Sequence, residues 1–537
     1  MKKNDQITSI VSRADNDFLQ KIRSVHISRR KFIHMAGAVG ASAIIPSMSS
    51  YASSNIKRGG TLKVATISDP QILDPNGLYT SVELRICEQL FNGLVSIDEN
   101  LNIVPDLAEE WAVTKDATVY EFKLRRGVMF HHGREFDAED VVFTINRFKD
   151  SWVSYIVGDL EKVEALDKYT VRASFKAPAA HFLGSMAPRW TGMVPKDVVE
   201  KLGNEEFKKN PVGTGAFKFV EHVPLQKVIT ERNENYFREG LPYVDRIEWI
   251  TIQDETSRGQ QLLSGTIHVD LWAPTKMIDS FEGSSSVEVI GGPTSMYEYI
   301  DLNCAKAPFD NQNVRKAVAL ATNRQEIIDL ALFGRGNPLT GGPIGPEGHP
   351  FYSDLQTYAD TPNIEKAREL IATAGISGGV SISGLVDSGT RYADVMEILQ
   401  QQWKSIGINI EIEAVEAGAA KARRTKGDYN IYIRGWGTLV DPHDFTGENF
   451  YVGGGMNFGK CGDAKLDALL DKGVQTANLD QRKVVYAEQE KYIVEDVVPY
   501  VFLHRPHEYT AFQNFVKGLK HEAGRTKISL ESAWIDS

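Results

Sequence analysis

Hydrophobic residues recur along the chain with two different periods, and each period predicts a different kind of element. At residues 61–67 and 120–124 apolar and polar residues alternate, which is the pattern of a strand with one buried face. After Asp137 the apolar residues of 141–148 recur every three or four positions. The side chain of Asp137 can cap the helix that this spacing predicts.

The second half of the chain continues this alternation of helix and strand. One helix is predicted to begin at Asn363 and to end at Gly375, where a left-handed residue is favoured. Another helix, over 395–406, ends at Gly407 and leads directly into a strand over 408–412. Because such an alternation builds sheets covered by helices, we expect an α/β fold.

Length and charge narrow the class of protein. A chain of 537 residues with 42% hydrophobic and 24% charged residues is ordinary globular protein. It is too long for one compact core, so we expect two or more lobes. The formal net charge is −11 although the first 52 residues are basic, and no basic stripe interleaved with aromatic residues follows them. Charge therefore argues against nucleic acid as a partner and disfavours an anionic membrane surface.

The N-terminal segment has the regions of an export signal in their usual order. Arg29 and Arg30 precede an apolar run rich in Gly and Ala over 35–48, and a small-residue site ends at Ala52. The apolar run is shorter than the ~20 residues of a membrane-spanning helix. We therefore expect a twin-arginine signal over residues 1–52, cleavage after Ala52 and a mature protein in the periplasm.

Motifs that would indicate catalysis or a metal are incomplete. The Gly-rich residues 454–460 lack the Ser or Thr that a phosphate-binding loop needs after its Lys. His131 and His132 are adjacent, so their side chains point to different sides of a strand or turn. We expect no enzyme activity, no cofactor and no metal. At most one disulfide can form among the three cysteines, and the sequence does not decide which two would pair: Cys87, Cys304 and Cys461.

Short motifs follow one another in order from Gly59 onward. They lie at residues 73–75, 90–95, 105–111, 120–141, 211–215, 233–236, 308–324 and 435–442. Together they make the chain resemble the extracellular solute-binding proteins of the dipeptide, oligopeptide and nickel class, family 5. The resemblance implies an α/β periplasmic binding protein of the class II, cluster C type, which has two lobes and an extra subdomain inserted in the first lobe.

The same resemblance implies a division of the mature chain. Residues 53–100, 210–297 and 506–537 would form lobe one, 101–209 the inserted subdomain, and 298–505 lobe two. Closure of the lobes around a ligand removes water and strengthens the polar contacts inside the cleft.

Three candidate ligand contacts come from the family's cleft. Trp436 follows a lobe-two strand at the position of a cleft aromatic, where an indole offers a stacking face and one donor. Asp441 is the nearest acid to it and also forms an Asp-Pro turn, which is the competing structural role. Tyr79 lies in the first-lobe loop that faces the ligand in relatives.

Three arginines are candidate partners of a ligand carboxylate, because the guanidinium fork suits two-point contact with it. Arg189 aligns with a cleft arginine of the nickel class, Arg391 precedes a helix that often supplies a carboxylate partner in peptide receptors, and Arg434 is adjacent to the cleft turn. Peptide receptors commonly carry an aspartate three residues beyond the tryptophan, and this chain has Leu439 there. Recognition of an ordinary free-amine peptide is therefore in doubt.

The function implied is that of a monomeric periplasmic binding protein of an ABC importer. It would capture a small peptide or a peptide-like anionic or zwitterionic solute and deliver it to the membrane permease and its ATPase. A nickel-chelate receptor is the alternative within the family, supported by the string from Trp436 to His443. An exported folded enzyme and a receptor for chemotaxis are alternatives of other classes.

Overall fold

A computed structural model describes most of the chain beyond the predicted signal. The described residues are 56–77, 80–98, 101–187, 189–359, 361–376, 378–437, 440–520 and 530–536. The predicted signal with Arg29 and Arg30, as well as Tyr79 and Leu439, lies outside them, and so do the side chains of Arg189 and Glu448. Within these residues no helix combines the length and the apolar character needed to cross a bilayer.

The described elements alternate between strand and helix over much of the chain. The strands are β1 (Thr61–Thr66), β2 (Val95–Ile97), β3 (Ile103–Pro105), β4 (Ala108–Val113), β5 (Val119–Leu124), β6 (Leu160–Asp167), β7 (Thr170–Phe175), β8 (Phe217–Val223), β9 (Lys227–Arg232), β10 (Arg246–Thr251), β11 (Val269–Asp270), β12 (Val287–Pro293), β13 (Met296–Leu302), β14 (Gly336–Pro338), β15 (Val380–Asp387), β16 (Ile408–Val415), β17 (Ile431–Gly437), β18 (Tyr500–Gln513), β19 (Val516–Lys517) and β20 (Trp534–Ile535). The α-helices are α1 (Ser81–Leu90), α2 (Ala138–Phe148), α3 (Phe182–Ser185), α4 (Lys196–Leu202), α5 (Asn204–Phe207), α6 (Glu255–Leu263), α7 (Ile278–Glu282), α8 (Gln312–Ala321), α9 (Arg324–Ala331), α10 (Ile364–Thr373), α11 (Tyr392–Lys404), α12 (Ala417–Thr425), α13 (His443–Phe450), α14 (Ala464–Gln475) and α15 (Leu479–Lys491). Short 3-10 turns occupy Pro75–Gly77, Ser154–Val157, Arg189–Thr191 and Thr275–Met277, and a π-helix occupies Tyr492–Val497.

One mixed sheet runs through the protein. In the described part of the chain it has twelve strands, in the order β16-β15-β17-β13-β18-β11-β1-β10-β9-β8, with β12 and β14 also paired to β18. The first half of β18 pairs with β13 and its second half with β12 and β11. This one long strand therefore joins the two parts of the sheet.

The predicted α/β fold is confirmed by the structure. The boundaries of lobe one, the inserted subdomain and lobe two are those predicted from the sequence, and they remain a proposal. Within the inserted range, β4, β5, β7 and β6 form a separate antiparallel sheet. Helix α2 packs on β6 and β7.

The local signals in the sequence place several elements where they were predicted. Asp137 accepts a hydrogen bond from the backbone of Glu139 and caps α2. Asn363 accepts from the backbone of Lys366 and caps α10, and Gly375, beyond the end of that helix, has a φ of +77°. These predictions succeeded because capping and left-handed positions depend on neighbouring residues only.

Candidate functional site

The predicted cleft aromatic lies at the edge of the sheet where two parallel strands of lobe two end. Trp436 is near the end of β17, which runs parallel to β15. It pairs across the ladder with Tyr297 of β13, and its ring centroid is 6.0 Å from that of Phe445. Trp436 is only partly buried. In open α/β sheets the ends of parallel strands form the crevice that binds ligands, so this edge is the candidate cleft.

Arg434 lies two residues earlier on the same face of β17 and is buried against aromatic rings. Its guanidinium carbon is 5.8 Å from the ring centroid of Trp436 and 5.9 Å from those of Tyr299 and Phe458. Such contacts compensate in part for burial of the cation. Nearby Asp301 is fully buried, and although Arg424 and Arg434 lower its pKa, burial raises it to about 6.

Arg391 lies directly before α11, after the end of β15, and has a carboxylate partner within the protein. Its guanidinium donates to Glu298 of β13, and the other oxygen of Glu298 is 2.8 Å from Nε2 of His504 on β18. Burial alone would raise the pKa of Glu298, but the charge of Arg391 and the hydrogen bond with His504 lower it below its ordinary value. The side chain of Arg391 is 34% exposed and that of Glu298 only 3%. The side chain of Arg391 is therefore partly exposed, whereas the carboxylate that holds it is buried.

Asp441 also has a partner inside the protein, and sequence reasoning missed it. Arg482 of α15 donates to both oxygens of Asp441, at 2.5 and 2.9 Å. The backbone N–H of His443 donates to Asp441 as well, which closes the turn into α13. Asp441 is 4% exposed, so its carboxylate fixes the turn that follows the candidate cleft. Its role as a ligand contact remains a prediction.

Tyr79 and the side chain of Arg189 lie outside the described residues, but residues close to them in the sequence are described. The side-chain amide of Asn76, three residues before Tyr79, donates to the carbonyl oxygen of Trp190 at 3.0 Å. Asn76 and Trp190 therefore lie side by side. Trp190 and Val440 belong to one hydrophobic cluster, which brings Val440 into the same region.

Among the described residues no group of three or more His, Cys, Asp or Glu side chains could hold a metal ion. His131 and His132 were predicted to be unsuitable as a pair of metal ligands. In His131, Nε2 lies 3.1 Å from the carbonyl oxygen of Gly215, and Nδ1 accepts a hydrogen bond from the backbone N–H of Gly213 at 3.1 Å. Burial lowers the pKa of His131 to about 4, so it is neutral and fully used by the backbone. His132 contacts Asp197 instead.

The structure also settles the open question of the cysteines within the described residues. Cys304 and Cys461 form a disulfide with a Cα–Cα distance of 5.2 Å. Cys87 is a buried thiol, and burial raises its pKa well above the ordinary value. Because the paired cysteines are 157 residues apart, spacing alone could not identify them.

Residues 102–458 match the bacterial extracellular solute-binding proteins, family 5 (middle region). The chain belongs to this family. Its members capture solutes in the periplasm for ABC importers, so the class of function predicted from the sequence is confirmed. Nothing in this match identifies the solute.

Relatives and solved structures agree with this assignment. The glutathione-binding protein GsiB of Escherichia coli O6:K15:H31 is 27% identical over 427 residues, which cover 77% of this chain and 81% of the relative. DppA from Helicobacter pylori in complex with the peptide STSA superposes with a TM-score of 0.82 at 25% identity, covering 90% of this chain and 99% of DppA. AgaA from A. tumefaciens R10, in complex with agropinic acid, has a TM-score of 0.81 at 25% identity, and the match covers 89% of this chain and 99% of AgaA.

Proposed function

We propose that the protein captures a small peptide or peptide-like solute that carries carboxylate groups and delivers it to the permease and ATPase of an ABC importer. One observation carries this proposal: Trp436 and the partly exposed side chain of Arg391 lie at the same edge of the sheet. An indole stacks on planar groups, and a guanidinium pairs with carboxylates. Leu439 replaces the aspartate that would bind a peptide amine. An acidic ligand therefore suits this cleft better than one recognised mainly by its amine.

The names of the relatives support an acidic ligand. GsiB is named for glutathione, which is a tripeptide with two carboxylates, and the AgaA structure holds agropinic acid. Both compounds are small acids with peptide-like functional groups. We therefore place the ligand of this protein in that chemical class, without choosing between them.

The proposal includes the route and the form of the mature protein. We infer that Arg29 and Arg30 direct export through the twin-arginine route, that cleavage follows Ala52, and that the protein works as a monomer without catalytic turnover. The support for the route is the order of charged, apolar and small-residue regions in the first 52 residues.

The ligand class can be tested by native mass spectrometry of the purified protein, followed by a thermal-shift panel. The panel contains reduced glutathione, dipeptides, opine-type acids and the nickel–histidine chelate. A ligand at ~100 times its dissociation constant adds about 2.7 kcal/mol to stability, which gives a clear rise in Tm. We expect acids to raise Tm and their amides to do so much less.

Controls separate ligand binding from general effects on stability. Protein that has been unfolded, dialysed and refolded provides a sample without retained ligand, and each acid is compared with its neutral amide at equal ionic strength. Retention of a carbohydrate or haem would contradict the proposal. A shift with the nickel chelate alone would favour the nickel-receptor alternative, and chemical conversion of the ligand would favour an enzyme.

A further inference from the structure

The inserted subdomain contacts lobe two through a cluster of titratable side chains. The hydroxyl of Ser185, at the end of α3, donates to Oδ1 of Asp444 at 2.5 Å, and the hydroxyl of Tyr155 lies 3.4 Å from the same oxygen. The rings of His181 and His443 face each other across the same boundary, with centroids 4.5 Å apart. We call these five residues the Asp444 cluster.

The contact that holds the Asp444 cluster is not enforced by chain connectivity. The inserted range leaves lobe one and returns to it, whereas β18 crosses between the lobes elsewhere. The backbone N–H of Ala180 donates to the carbonyl oxygen of Val474 at 2.9 Å, and Val440 packs into the hydrophobic cluster of the inserted range. The hydrogen bonds and the packing between the inserted range and lobe two are all non-covalent. Separation of the lobes would therefore break them and expose the Asp444 cluster to water.

Within the cluster Asp444 is the carboxyl group without a cation of its own. The neighbouring carboxylate of Asp441 takes up the guanidinium of Arg482. Asp444 is 1% exposed, and its Oδ2 has no hydrogen-bond partner among the described residues. Burial, followed by the negative charge of Asp441, raises the pKa of Asp444 to about 8. The neutral acid is the stable form while the contact is closed.

The two histidines respond to burial in the opposite sense. His181 and His443 are each 4% exposed, and Nδ1 of each is without a partner within the described residues. Burial lowers the pKa of His181 to about 4, although the negative charge of Asp441 acts in the opposite direction. Burial also lowers the pKa of His443 well below its ordinary value, and the charge of Arg482 lowers both pKa values further. Among the described residues, three further tyrosines near the cluster have pKa values that burial raises: Tyr120, Tyr451 and Tyr486.

We propose that the Asp444 cluster couples closure of the lobes to protons, because Asp444 gains a proton when the contact forms while His181 and His443 lose theirs. In the open protein these groups are exposed to water and titrate near their ordinary values of about 4 for Asp and about 6.5 for His. The coupling acts through closure itself, so it does not depend on which ligand the cleft binds.

The direction of the effect differs on the two sides of about pH 6.5. Between about pH 6.5 and 8 closure takes up one proton at Asp444, so the closed-to-open ratio falls by up to about tenfold per pH unit as pH rises. Between about pH 4 and 6.5 closure still takes up that proton but releases two from the histidines. The ratio then falls by up to about tenfold per unit as pH decreases. Closure is therefore strongest near pH 6.5.

The coupling can be measured on the mature protein without any ligand. Fluorophores are attached to cysteines in the variant Leu166→Cys/Val484→Cys, because both side chains are exposed and lie in the inserted range and in lobe two respectively. Energy transfer between them is recorded from pH 5 to 9. We expect maximal transfer near pH 6.5 with a decline on both sides. A flat profile would overturn the proposal.

Variants assign each side of the profile to its residues. Asp444→Asn should abolish only the decline of energy transfer above pH 6.5. The double change His181→Gln/His443→Gln should abolish only the decline below pH 6.5. Asp329→Asn, on an exposed face of α9, is the matched charge control and should keep both. Because the Ser185 hydrogen bond stabilises the ionised form of Asp444, Ser185→Ala should raise the pKa of Asp444 in the closed protein. The decline above pH 6.5 should then extend to higher pH, with its onset unchanged. That extension tests the proposal if Asp444→Asn does not fold, and a decline whose upper end stays at the same pH or moves to lower pH would contradict it.

Discussion

At the scale of single residues, the charged side chains near Trp436 have partners inside the protein. Arg391 is held by Glu298, and Asp441 is held by Arg482. A buried charge that loses its partner keeps its full cost of desolvation. Substitutions of the predicted ligand contacts therefore have to be examined for stability before any change in binding is interpreted.

The pair of Asp441 and Arg482 should be sensitive to loss of one charge. Both side chains are 5% exposed, so Asp441→Asn leaves a buried guanidinium without its carboxylate. We expect a loss of about 3–5 kcal/mol in the free energy of unfolding, measured by urea denaturation. Asp428→Asn removes the acid of an exposed pair with Arg423 and should cost less than about 1 kcal/mol. If Asp441→Asn were as stable as the wild type but unable to bind ligand, a direct ligand contact would be indicated instead.

Arg391 should matter more for acidic ligands than for neutral ones. Lysine keeps the charge but cannot bind Glu298 and a ligand carboxylate with one planar fork. With reduced glutathione as the probe, Arg391→Lys should weaken binding about 10- to 100-fold by calorimetry, as expected for loss of a charged hydrogen bond worth about 1.5–3 kcal/mol. Arg368→Lys, on the exposed face of α10, is the matched control. Unchanged binding of the acid by Arg391→Lys would remove Arg391 from the site.

At the scale of elements, prediction succeeded where neighbouring residues decide the structure. The helices α2 and α10 begin at their capping residues, and β16 follows α11 after the turn at Gly407. How the elements are held together could not be obtained in the same way. The disulfide joins Cys304, which follows β13, to Cys461, which precedes α14. The sequence around either cysteine does not indicate its partner.

The disulfide between Cys304 and Cys461 should stabilise lobe two substantially, because it closes a loop with a sequence separation of 157. The double change Cys304→Ser/Cys461→Ser should lower the free energy of unfolding by about 2–5 kcal/mol, measured in urea. Adding a reductant to the wild type should reproduce most of this loss and leave the double variant unaffected. Cys87→Ala controls for removal of a thiol. Equal stability with and without reductant would show that the bond is absent in solution.

At the scale of the whole molecule, the protein is a two-lobed receptor whose large sheet is shared through β18. Asp444, at the contact between the inserted range and lobe two, is only eight residues beyond Trp436, at the edge of the candidate cleft. The predicted ligand contact and the contact between lobes therefore belong to neighbouring parts of the chain. Such an arrangement allows closure to affect the affinity for the ligand.

Export is a property of the whole chain that can be tested directly. If the N-terminal segment is a twin-arginine signal, Arg29→Lys/Arg30→Lys should leave the precursor in the cytoplasm, as measured by cell fractionation and immunoblotting. Arg13→Lys, upstream of the pair, is the matched control and should be exported normally. Normal appearance of the double variant in the periplasm would contradict the proposed route.

The sequence by itself determined the α/β class, the family and many element boundaries, because these depend on local periodicity, capping and motifs in order. It also predicted that Trp436 contacts the ligand, and this residue lies near the end of β17, which runs parallel to β15. Only the tertiary structure decided which groups are paired. Arg391 meets Glu298 across 93 residues and Arg482 meets Asp441 across 41, and the burial that fixes their charge states exists only after the chain has folded.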